Sequence, residues 1–75
     1  MTPKQLENVG YAIYGATWQD LMSKDIRVST RTIQRWMRKL YPVPPWVPDE
    51  LEKLARHHRR SDKETIDRII KEIRK

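Results

Sequence analysis

The sequence predicts an all-α fold: a single compact domain of four to five helices over residues 1–75, with a helix-turn-helix inside it. Three observations carry that expectation. Apolar residues recur at helical spacing along the chain, with no strand-like alternation. Capping residues, a first-turn proline and a glycine divide the pattern into short segments. A length of 75 residues suits one small core. With no cysteine in the chain, neither a disulfide frame nor a thiolate zinc site can reinforce it.

The first helix is announced by Thr2-Pro3-Lys4-Gln5. Thr2 can cap, Pro3 suits the first helical position, and Gln5 completes a capping box. Leu6, Val9 and Ile13 share one face, and Gly15 is placed to end the helix. A second start comes at Thr17, with Asp20 near the positive end of the helix dipole. Trp18, Leu21, Met22 and Ile26 form its apolar stripe. Arg27-Val28-Ser29 breaks the pattern, and Ser29 can cap the next helix. Ile33, Trp36, Met37 and Leu40 then fall at i, i+3, i+4 and i+7, the inward stripe of a third helix over about residues 29–40.

Residues 41–50 hold four of the five prolines and read as a stiff, extended connection. Trp46 and Val47 are expected to tuck it against the core. Pro48 reads as the first-turn proline of a fourth helix, with Asp49 and Glu50 behind it and Leu51, Leu54, Ala55 and His58 on its apolar side. Ser61-Asp62-Lys63-Glu64 is a further capping box, opening a helix over 61–75. Its stripe is Ile66, Ile69, Ile70 and Ile73, flanked by i, i+4 pairs Glu64–Arg68 and Asp67–Lys71. A helix this short is marginal alone in water, so the stripe must be buried against the chain's own core or a second copy. Full burial is worth roughly 1.5–3 kcal/mol per isoleucine.

Sixteen Lys and Arg against ten Asp and Glu give a formal net charge of +6. That balance argues for an anionic partner, nucleic acid before acidic lipid, against the plainer reading of a merely soluble surface. The apolar runs are too short for a membrane span, and the N-terminus lacks the apolar region of a secretory signal, so a cytoplasmic location and no membrane partner are expected. Two glycines supply no phosphate-cradling loop, and neither G-x-S-x-G nor metal-ligand spacing occurs. Nothing arranges serine, histidine and aspartate as a nucleophile and its base, so no enzyme, cofactor, metal or small-molecule ligand is expected. His57 and His58 are adjacent and point different ways on a helix, so they cannot share a metal. With Arg56, Arg59 and Arg60 they read as a solvated or phosphate-contacting helix end.

A short helix, a three-residue break and a second amphipathic helix outline a helix-turn-helix. Met22, Ile26, Val28, Ile33 and Trp36 fill its apolar positions, and Ser23 supplies the small residue where the helices cross. The run Ile26-Arg27-Val28-Ser29-Thr30-Arg31-Thr32-Ile33-Gln34-Arg35-Trp36 resembles the L-G-V-S-x-R-T-V-x-R-W segment of small phage and bacterial regulators of the Cro/repressor type. The resemblance covers roughly residues 10–55. It implies an all-helical dimer that binds operator DNA and represses transcription in a bacterial or phage-infected cell, with regulators encoded beside anti-CRISPR genes as one setting. Gln19 matches a family position that touches the DNA backbone. Two residues depart from the pattern. Arg27 stands where glycine is common, and a left-handed backbone there costs a non-glycine residue roughly 1 kcal/mol. Thr30 stands where many relatives place a base-reading glutamine.

With the stripe of the third helix inward, its opposite face presents Ser29, Thr30, Arg31, Gln34, Arg35 and Arg38. Arg31 and Arg35 can fork onto guanine and Gln34 onto adenine, while Thr30 can meet a thymine methyl; these four are the expected base contacts. Gln19, Arg27, Ser29, Thr32, Arg38 and Lys39 are the expected contacts to the DNA backbone. Trp18 and Trp36 are in phase with the core, which argues against stacking on single strands. One short helix grips one half-site, so a homodimer on a palindromic operator is expected, with Ile66, Ile69, Ile70 and Ile73 as its first candidate contact. The competing readings are a protein-interaction module using that stripe or the proline-rich connection, and a non-specific nucleic-acid binder.

Overall fold

The computed structural model describes residues 1–57 and 62–74. Within them the chain forms five helices and no strand: α1 Pro3–Tyr14, α2 Trp18–Asp25, α3 Thr30–Met37, α4 Trp46–His57 and α5 Lys63–Ile73. α1 is the centre of the fold, packing against α2, α3 and α5, while α2 meets α3 and α4 meets α5.

The predicted capping box opens α1. Thr2 Oγ1 accepts from the Gln5 N–H at 3.2 Å, and Gln5 Oε1 accepts from the Thr2 N–H at 2.8 Å. Two of the helix's orphan donors are thereby satisfied. At the other end Gly15 takes φ 86, a conformation that a side chain disfavours. Leu6, Val9 and Ile13 are buried as their spacing requires, and Gly10 is buried beside them.

α2 starts differently from the expectation. Thr17 makes no side-chain cap; the Trp18 N–H donates to the Gly15 carbonyl at 3.2 Å instead. The buried side of α2 is the line Trp18, Met22 and Ile26 together with Ser23. Leu21, expected in the stripe, is 41% exposed. An eight-residue helix lying against α1 and α3 buries a narrow strip, and Leu21 falls beyond its edge. The Tyr14 hydroxyl ties the end of α1 to the end of α2 by donating to Asp25 Oδ2 at 2.7 Å. Burial first, then the bond to Asp25 and its charge, push the Tyr14 phenol well above its ordinary pKa.

The proline-rich connection gives way to α4 two residues before Pro48. Pro48 lies in the first turn, where its missing N–H leaves no helical bond unmade. Val47, Leu51 and Ala55 are buried and Leu54 is half-buried. Trp46, expected to tuck inward, is 45% exposed. Neighbouring residues on a helix diverge by about 100°, so seating Val47 turns Trp46 outward. His58 lies outside the described residues.

Asp62 caps α5: its Oδ1 accepts from the Thr65 N–H at 2.8 Å. Hydrogen bonding from Thr65, through its side chain first and its backbone N–H second, holds the Asp62 carboxyl below the usual carboxylate range. Ser61 lies outside the described residues. α5 finds its apolar partner within the chain. Ile69 is 1% exposed in the shared core, while Ile66, Ile70 and Ile73 are half-buried. Polar ties reinforce the docking: Gln5 Nε2 donates to the Glu72 carbonyl at 3.3 Å, and Arg74 meets Glu52 at 2.9 Å. Glu64 and Arg68 pair at 3.7 Å, whereas Asp67 and Lys71 do not come within ion-pair distance. Among the described residues, no helix is long and apolar enough to cross a membrane.

Candidate nucleic-acid interface

The turn between α2 and α3 is built by backbone bonds that its sequence does not advertise. The Ile26 N–H reaches the Met22 carbonyl at 2.9 Å, and the Val28 N–H reaches back to the Ser23 carbonyl at 3.0 Å. Between them Arg27 takes φ 60. This is the Schellman closure, with the left-handed position held by arginine instead of glycine. Val28 packs against the core. Ser29 then caps α3, its Oγ accepting from the Thr32 N–H at 3.1 Å.

The same device ends α3. The Lys39 N–H donates to the Trp36 carbonyl at 3.1 Å and the Leu40 N–H to the Arg35 carbonyl at 3.0 Å, with Lys39 at φ 61. The helix therefore stops at Met37, short of the expected residue 40. Leu40, expected to complete the inward stripe, leaves helical phase at the reversal and is 63% exposed.

The rotation of α3 matches its amphipathic pattern. Ile33 and Trp36 are buried, at 0% and 4% exposure, and Met37 is half-buried. Arg31, Gln34, Arg35 and Arg38 are exposed on the other side. Thr30, an expected base contact, opens the first turn of α3. It is half-buried, and its hydroxyl lies 3.4 Å from both Asp20 Oδ1 and Ser23 Oγ, directed at the α2–α3 crossing. Ser23 is buried there, donating to the Asp20 carbonyl at 2.7 Å. The Thr32 hydroxyl lies 2.9 Å from that of Ser29 and supports the cap. Gln19 is half-buried at the start of α2, lining an open cleft of about 360 Å³ with Tyr11, Thr17, Asp20, Thr30 and Gln34.

Charge is concentrated on this half of the fold. Residues 26–48 contain five cations and no acid, so this segment alone carries +5 of the chain's +6. Among the described residues, the ion pairs join Lys4 to Glu7, Glu52 to Arg56 and Arg74, and Glu64 to Arg68. None engages Arg27, Arg31, Arg35, Arg38 or Lys39. Asp20 lies beside this surface, its Oδ1 3.4 Å from the Thr30 hydroxyl. Arg35 has an aromatic neighbour that sequence reasoning does not reveal: its guanidinium carbon lies 6.0 Å from the centroid of the Tyr41 ring. An aromatic six positions after an arginine is no signal of contact until the reversal at Lys39 is known. His57 is exposed at the end of α4, and Arg59 and Arg60 lie outside the described residues.

Compared with known proteins, the chain matches no family model, no curated protein and no solved structure.

Proposed function

We propose that this protein binds double-stranded DNA sequence-specifically, with α3 as the reading helix in the major groove, and acts as a transcriptional regulator of the small phage and bacterial helix-turn-helix kind. One observation carries the reading: α3 buries Ile33 and Trp36 while Arg31, Gln34, Arg35 and Arg38 stand exposed on an unpaired basic face. Forked donors on a groove-sized helix suit base edges, at about 1–3 kcal/mol of discrimination per good bidentate pair. Arg31, Gln34 and Arg35 are the proposed base readers. Arg27, Arg38 and Lys39, with Gln19, Ser29 and Thr32 nearer the helix starts, are the proposed backbone contacts, which fix register without reading sequence.

An eight-residue helix spans only about 12 Å, so one copy covers one half-site. The reading therefore includes a homodimer on a palindromic operator, with repression as its outcome, in the cytoplasm of a bacterial or phage-infected cell. Ile69 is spent on the chain's own core, which leaves the half-buried Ile66, Ile70 and Ile73 as what α5 can offer a second copy. A monomer in sedimentation even at high concentration would remove the dimer from the proposal.

The function is tested by titrating labelled duplexes at several salt concentrations. Specific reading predicts a preferred site bound at least about a thousandfold tighter than random DNA, with affinity falling steeply as salt rises. Equal affinity for all duplexes leaves a charge-driven binder, and no binding at moderate salt defeats the reading. A second reading, docking of a protein partner, is favoured by the exposed Leu40, Tyr41 and Trp46 along the proline-rich connection.

A further inference from the structure

The reversal that ends α3 folds the chain back along the helix's last turn. The Leu40 N–H is bonded to the Arg35 carbonyl, and Lys39 makes the left-handed step that allows it. Tyr41 is thereby returned to the side chain of Arg35, six residues earlier, with 6.0 Å between guanidinium carbon and ring centroid. Tyr41 is 58% exposed, outside the buried core. Arg35 has no ion pair among the described residues to hold it elsewhere. A guanidinium within about 6 Å of an aromatic centroid is attracted by the ring's quadrupole. Its planar fork, once stacked, loses less freedom when it forms a paired hydrogen bond.

We infer that Tyr41 is a positioning residue for Arg35, holding its guanidinium over the ring so that the fork is set in advance for one base pair. The inference rests on the DNA-reading proposal and extends it to a residue outside α3. Tyr41 acts through Arg35 and reads no base itself. Arg31 and Arg38 have no such ring among the described residues, which makes Arg35 the most preorganised of the three arginines and the main determinant of sequence preference.

The test compares wild type, Y41F, Y41L, R35A and the R35A/Y41L double variant on the preferred duplex and its single-base-pair substitutions, with melting temperatures in parallel. Y41L should lose roughly two- to fivefold of discrimination at the base pair where R35A loses it, and at no other. Y41F should keep it, because the ring remains. The double variant should discriminate no worse than R35A alone. In the free protein, the Arg35 Nε–H resonance should shift in Y41L and stay near its place in Y41F. If wild type reads sequence but Y41L discriminates equally well, or weakens on every duplex alike, the inference is overturned while the DNA reading stands. It is overturned in the same way if Y41F behaves as Y41L, or if the Arg35 resonance ignores both changes. A wild-type protein with no sequence preference overturns the DNA reading and this inference together.

Discussion

Gly10 of α1 lies directly beneath the indole of Trp18 at the start of α2. A Cβ built on Gly10 would fall no more than 2.9 Å from the Cγ, Cδ2 and Cε3 atoms of that ring. Real side chains do not pack so closely, so the absence of a side chain at residue 10 sets how near α2 can come to α1. Trp18 is itself 3% exposed, with core neighbours that leave the ring little room to retreat.

Gly10→Ala should therefore destabilise the fold by about 1–3 kcal/mol, although alanine is favoured in a helix interior by about 1 kcal/mol. Urea unfolding checks this as a lower midpoint with an unchanged slope. A gain in stability would mean that the ring yields and that the α1–α2 approach is not tightly set.

At Arg27 stability and binding are predicted to part. Glycine takes φ 60 freely and alanine only at a steric cost, so Arg27→Gly should be more stable than Arg27→Ala by about 1 kcal/mol. Both variants lose the same proposed phosphate contact. Both should weaken DNA binding evenly across sequences and flatten the slope of log K against log salt by about 0.9. Unchanged salt slopes would show that Arg27 touches no phosphate.

How much of the fold and the site is legible in the sequence depends on the kind of feature. The capping box at Thr2 and Gln5, the burial of Leu6, Val9 and Ile13, and the rotation of α3 come from local chemistry and helical phase, and all are legible. Leu21, Leu40 and Trp46 escape such a reading because periodicity says which face is apolar, not how wide a strip the neighbours cover or where a helix stops. The reversals at Arg27 and Lys39 lack the usual glycine, so only the departure from pattern at Arg27 hints at one of them. Phase alone assigns Thr30 to the groove. Its hydroxyl turns to Ser23 and Asp20, a preference created by tertiary contact with α2.

The Tyr14–Asp25 bond predicts an alkaline weakness. Because the folded state raises the Tyr14 pKa, the neutral phenol's contribution is fully present below the unfolded value of about 10 and is lost as pH rises toward the folded value. Wild type should thus lose stability more steeply than Tyr14→Phe above about pH 10. Parallel pH profiles for the two proteins would show that the phenol makes no such contribution.

The orientation of α3 is the claim on which the function depends, and selection of bound sites from a random duplex pool tests it most directly. Enrichment of one palindromic motif is expected, with Arg35→Ala and Gln34→Ala each relaxing preference at a single symmetric position at a cost of roughly 1–3 kcal/mol. A pool that stays random, or variants whose losses are equal at every position, would contradict it.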